Sequence, residues 1–152
     1  RAAAAAAFTS ALGDGGSLVG LVEASIVLAD DDMVCDLNRD YRGIDGATNV
    51  LSFANLDAAG TSFTGVPLLL GDIVIAFETV AAEATAAGKD LSHHLSHLVV
   101  HGMLHLLRYD HQCDIDAERM DDLEAVALAG LGVGVSYAAD DEAEAAEDND
   151  QR

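Results

Sequence analysis

Residues 68–107 read LLLGDIVIAFETVAAEATAAGKDLSHHLSHLVVHGMLHLL, and the order of patterns in this stretch decides the class of fold. LLLGDIVIA, residues 68–76, is the strongest strand signal in the chain. The alanine-rich residues 77–87 follow at once and predict a helix closed by Gly88, and residues 90–107 predict a second helix with Asp90 or Ser92 as its N-cap. Upstream, ASIVLA at residues 24–29 predicts a strand. Asp30, Asp31 and Asp32 come next, acids suited to cap a helix start and complement its dipole. That helix runs through Met33, Val34, Leu37 and Tyr41, spaced near 3.6, and stops at Gly43. NVLSFA at residues 49–54 predicts a short strand and residues 60–67 a loop, while Asp114 or Asp116 opens a last helix ending near Gly130. Strands and helices interleave without a repeat, which gives an α/β or α+β layer with helices packed on a small sheet.

Composition narrows the function classes. The 152 residues carry 27 acids against 7 lysines and arginines, a formal charge of −20, which excludes a generic basic nucleic-acid binder. There are four Phe, three Tyr and no Trp, so the core is aliphatic, yet a chain of this length still buries roughly two-thirds of its unfolded surface. No apolar run approaches the ~18 residues of a membrane span. Cys35 and Cys113 are too few for a disulfide framework, and a reducing compartment follows. Residues 138–152 are expected to be an acidic disordered tail, and residues 1–17 a flexible alanine-rich segment preceding a folded body over 18–137. The acid-poor start also looks like what a transit peptide leaves, and an ordinary frayed helix explains it equally well. The cytoplasm is the expected compartment, with a plastid or mitochondrion as the alternative.

The informative feature is the placement of the histidines, since all six lie between residues 93 and 111. His101 and His105 stand at i and i+4, on one helix face about 5.4 Å apart along the axis, so their imidazoles can converge on one ion. His97 continues the ridge, but its eight-residue separation from His105 is ~12 Å, too far to share a metal. A third ligand must come from chain that has left the helix and turned back. His111, behind Arg108, Tyr109 and Asp110, is placed to supply it. Three histidines leave a fourth position open, the layout of a catalytic zinc site with one Zn²⁺ per chain. His93, His94 and His97 read as helix-face residues, either on the helix surface or hydrogen-bonded in the core.

HGMLHLLRYDH at residues 101–111 resembles the HGxLHLxGYDH signature of the YbeY family of single-strand-specific endoribonucleases of ribosomal RNA maturation. LNRDYRGIDGATNVLSF at residues 37–53 and LGDIVI at residues 70–75 are similar to two further family segments, in the family's order. The resemblance covers roughly residues 23–132. It implies an α+β fold, a small mixed sheet with helices on it and a zincin-like metal-site helix, and a zinc-dependent endoribonuclease whose partners are single-stranded or ribosomal RNA and the ribosomal subunit or its assembly proteins, with no membrane.

The residues bear on the chemistry as well. Metallopeptidases of the HExxH type carry a glutamate general base at the second position, where this chain has Gly102, so peptide hydrolysis by that route is disfavoured. A phosphodiester needs a cation that grips two oxygens and stays charged, which is arginine. Arg42 matches the family's Tyr-Arg pair and is assigned to phosphate binding and transition-state charge, beside His101, His105 and His111 as the catalytic set. Asn49 and Ser52 are placed in the RNA groove. Asp72 is placed behind a metal ligand, because a carboxylate in an apolar strand is expensive unless it has a partner, with an Asp at a bulge facing solvent as the alternative reading and Asp110 as the other candidate. Arg108 occupies the family's glycine, a position suited to a left-handed turn, and is read either as strained there or as recruited to contact phosphate. Two rivals stay in view: a zinc hydrolase of another class, metallopeptidase-like, and a non-catalytic ribosome-assembly factor stabilised by zinc.

Overall fold

Local signals set the element bounds. The computed structural model describes residues 1–13, 21–55, 67–111 and 113–134. In chain order they form α1 (Ala2–Gly13), β1 (Val22–Ala29), α2 (Asp31–Arg42), β2 (Val50–Ala54), β3 (Leu68–Ala76), α3 (Phe77–Ala86), α4 (Leu91–Leu106) and α5 (Asp114–Gly130). Asp30 caps α2, its carboxylate accepting from the Met33 N–H at 2.9 Å, and Gly43 ends that helix at φ 73°. Asp90 caps α4, accepting from the Ser92 and His93 N–H groups. These bounds agree with the sequence expectations to within two residues.

The sheet has the order β1-β3-β2, with β1 parallel and β2 antiparallel to the central β3, so it is mixed and the fold is α+β. Its two faces are covered differently. Leu70, Ile73 and Ile75 point into the larger core with Leu98, Met103 and Leu104 of α4, Met120 and Leu128 of α5, and the alanines of α1. Val74 and Ala76 face the smaller core with Val34 of α2 and Leu51 of β2. No described helix is long and apolar enough to cross a membrane.

Two expectations change. The first concerns the start of the chain, expected as a loose segment. Its residues 2–13 form α1, whose Ala3, Ala7 and Ala11 are buried at i, i+4 and i+8 against α4 and α5. Side chains this small let helix backbones approach closely, and Ser10 Oγ donates to the Leu123 carbonyl of α5 at 3.2 Å. The expected segment's residues 14–17 and the acidic tail, 138–152, lie outside the described residues, as do residues 60–66 of the expected loop.

The second is Asp72. Between Glu23 and Ser25 of β1, β3 advances from Leu69 to Asp72, one residue more than its partner, so β3 carries a bulge at Leu70 and Gly71. Gly71 sits at φ 140°, where a β-carbon would lie 2.1 Å from the Phe53 carbonyl oxygen. An unbroken alternation would have put Asp72 on the Leu70 face, under α4. The bulge turns it to the other face with Val74, where it is exposed.

Candidate metal centre

α4 is the scaffold of the site. It crosses the Ile73 side of the sheet at Gly102, where a β-carbon would meet Ile73 Cγ2 and Ser52 Oγ, each at 3.0 Å. The absence of a side chain there lets the helix lie down on β2 and β3. Gly102→Glu, which would install the metallopeptidase glutamate, is therefore expected to cost at least ~3 kcal/mol through overpacking and a buried charge, read as a fall in melting temperature. An unchanged melting temperature would show that the seam is loose.

The helix ends in a way that returns the third histidine. The Tyr109 N–H bonds to the Leu104 carbonyl and the Arg108 N–H to the His105 carbonyl, each at 3.0 Å, the paired bonds of a Schellman motif. α3 and α5 end in the same pattern with Gly88 and Gly132 in the left-handed position, at φ 64° and 73°. In α4 that position is Arg108, at φ 74°, as the turn requires. The guanidinium is exposed and Nη2 donates to the Asn55 carbonyl at 3.3 Å, tying the helix end to the chain leaving β2. Arg108→Gly keeps the left-handed turn but removes its cost to a non-glycine residue, ~1–2 kcal/mol, together with one exposed hydrogen bond. A net gain of up to ~1 kcal/mol, or roughly 2–4 °C in melting temperature, is expected. A lower melting temperature would show that the tie outweighs the strain.

Beyond that turn, Asp110 accepts from the His111 N–H at 2.8 Å, so this acid fixes the loop backbone. The rings of His101 and His105 lie 4.6 Å apart between centroids, and His111 lies 5.2 and 5.3 Å from them. One ring nitrogen from each falls within 4.8 Å of the others, a group that could hold a metal ion. His101 and His105 are half-buried and His111 is exposed, which leaves the site open on one side.

The outward-facing nitrogens test whether the donor set fits a cation. His105 Nδ1 lies 3.0 Å from the Tyr109 carbonyl, which can only accept, and His101 Nδ1 lies 2.6 Å from Glu124 Oε1. Burial opposes charge on Glu124, yet hydrogen bonds from His101 and His97 hold its carboxyl at about 2, so it is a carboxylate and also an acceptor. Each Nδ1 thus faces a group that only accepts, which favours a proton on that nitrogen. The two Nε2 atoms face each other 3.0 Å apart, on the side of the rings away from those acceptors. Burial, then the neighbouring His101 and His111, push His105 down to about 4, so it stays neutral near pH 7. Ring nitrogens converging in this way suit a metal ion such as zinc.

Glu124 is absent from the sequence reading, which placed Asp72 behind a ligand. Its signal was present: it stands four residues from both Met120 and Leu128, in the buried stripe of α5. Two other histidines take the hydrogen-bonded core form of the ordinary helix-face reading. His97 is 1% exposed and bonds Glu124 Oε2 at 3.2 Å, and His94 is buried and bonds Glu83 at 2.7 Å, so neither is a surface residue of the helix. Asn49 closes the start of β2, its side-chain oxygen accepting from the Val50 N–H at 2.8 Å and its amide reaching Glu83 at 3.5 Å. Ser52 points to α4 at Gly102. Arg42 is exposed at the last position of α2, on the other face of the sheet from α4, with Nη1 donating to Asn38 Oδ1 at 3.5 Å. The adjacent Tyr41 packs on Phe53 of β2, ring centroids 4.9 Å apart. Edge strand β2 thus stands between the histidines and Arg42.

Comparison with known proteins gives one consistent family. The family model described as Endoribonuclease YbeY matches residues 4–132. A protein of Paramagnetospirillum magneticum named Endoribonuclease YbeY is 59% identical over 119 residues, covering 78% of this chain and 73% of the relative. One of that name from Parvibaculum lavamentivorans is 46% identical, covering 92% of this chain and 76% of the relative. The solution structure of TM1509 from Thermotoga maritima has a TM-score of 0.49 at 21% identity, over 83% of this chain and 76% of that one.

Proposed function

The chain belongs to the YbeY endoribonuclease family, and on that premise we propose that it hydrolyses single-stranded RNA in ribosomal RNA maturation, using one zinc ion held by His101, His105 and His111. The observation that carries the reading is the convergence of ring nitrogens whose partner nitrogens are already occupied by Glu124 and Tyr109. Zinc in such a site supplies Lewis acidity toward water and toward a phosphoryl oxygen. His101 and His105 are fixed on the helix, and His111 closes the set from the loop on the open side, where a phosphate can approach. Gly102 puts no general base on this face of the helix. The general base of HExxH peptide hydrolysis is therefore missing here.

Arg42 is the proposed phosphate grip, reaching past the edge of β2 to neutralise charge that grows on the phosphate. Ser52 and Asn49 on β2 and Arg108 at the end of α4 are proposed to line the path of the strand. An acidic body repels RNA at long range, so we read Arg108 as a local cation offsetting that charge. Arg108→Gly is then expected to flatten the salt dependence of RNA binding by close to ~0.7 in the log–log slope. An unchanged slope in a salt titration would leave Arg108 only its tie to Asn55. The acidic surface favours a second reading, a zinc-stabilised assembly factor that does not cut RNA. Ribosomal precursors and assembly proteins are the proposed partners in both readings, and the cytoplasm the compartment.

The test is cleavage of an RNA with single-stranded and duplex segments before and after metal removal. Cuts confined to single strands, lost with a chelator and restored by one equivalent of zinc, are expected. Full zinc occupancy with intact RNA would favour the assembly factor.

A further inference from the structure

Glu124 is a carboxylate where packing asks for none. It is 3% exposed, and Met120, Leu123, Ala127 and Leu128 around it on α5 are core residues. A charge in such a seam is costly unless it is paired and hydrogen-bonded. Both of its oxygens are engaged, Oε1 with His101 Nδ1 at 2.6 Å and Oε2 with His97 Nε2 at 3.2 Å. His97 stands one helical turn before His101 and is itself fully buried. Rotating the carboxylate would break one of the two bonds, so His97 holds the orientation in which Oε1 meets His101.

Accepting groups dictate where ring protons sit. We propose that Glu124, held by His97, is a positioning residue that commits His101 to the tautomer protonated on Nδ1 and bare on Nε2, so that the triad can take a cation before one arrives. The Tyr109 carbonyl does the same for His105. The two Nε2 atoms, 3.0 Å apart, are then both turned toward the point where a cation would sit. The proposal rests on the metal-centre reading, but it concerns the metal-free protein and can be tested there.

The experiment uses the full chain labelled with ¹⁵N-histidine, stripped of metal, and long-range ¹H–¹⁵N correlation at neutral pH. His101 in the unsubstituted protein is expected as the Nδ1–H tautomer. Glu124→Leu, of similar volume, is expected to convert it to a mixture or to Nε2–H, and to weaken zinc binding 10–100-fold in a chelator competition. His97→Leu keeps the bond to His101 but frees the other carboxylate oxygen, and a smaller loss, at most ~10-fold, is expected. His101 found as Nε2–H in the unsubstituted protein would overturn the proposal, with no variant needed. So would an unchanged tautomer and zinc affinity in the Glu124 variant. If the unsubstituted protein binds no zinc, the metal-centre reading fails, while the tautomer spectrum still decides the role of Glu124.

Discussion

His101→Ala is expected to leave a folded protein that has lost its metal and its RNA cleavage. Removing even an outer partner of a metal-bound histidine costs 10–100-fold in affinity, so removing a ligand itself should exceed ~100-fold. Two nitrogens from His105 and His111 then remain, too few for a tight zinc site. Elemental analysis of the purified variant checks this, with His105→Ala as a companion that leaves the His97–Glu124–His101 contacts in place. A full zinc equivalent retained by either variant would remove these histidines from the ligand set.

Arg42→Ala should separate chemistry from structure. The side chain is exposed and lies across the sheet from α4, so stability should move by no more than ~0.5 kcal/mol and zinc content not at all. Removing a single group that stabilises developing charge typically lowers kcat 10²–10³-fold, and a loss of about that size is expected in single-turnover cleavage. Unchanged activity would make Arg42 a surface residue with a structural role, its bond to Asn38 included.

Much of the site was legible because its signals are local. The i, i+4 histidine pair needs only the pitch of a helix, and the return of His111 needs only a turn after His105. Position 108 was readable as a left-handed position only through the resemblance, whose family carries glycine there, and it has that conformation although the residue is arginine. Other features depend on what lies opposite. Asp72 could be read either behind a ligand or at a bulge facing solvent, and the choice is made by the pairing with β1, where one extra residue in β3 turns it outward. α1 carried no polar face to contrast with its alanines, so nothing in residues 2–13 announced a packed helix. Glu124 was one acid among many in α5. Only its place in the stripe with Met120 and Leu128 set it apart, and its partners are 23 and 27 residues earlier in the chain.

The central claim is that the three-histidine centre performs the cleavage. Its most direct test is a titration of zinc into metal-free protein while cleavage of a single-stranded RNA is followed. The rate should rise in proportion to added zinc and level off at one equivalent per chain. A rate that does not depend on zinc, or no cleavage once one equivalent is bound, would contradict the account.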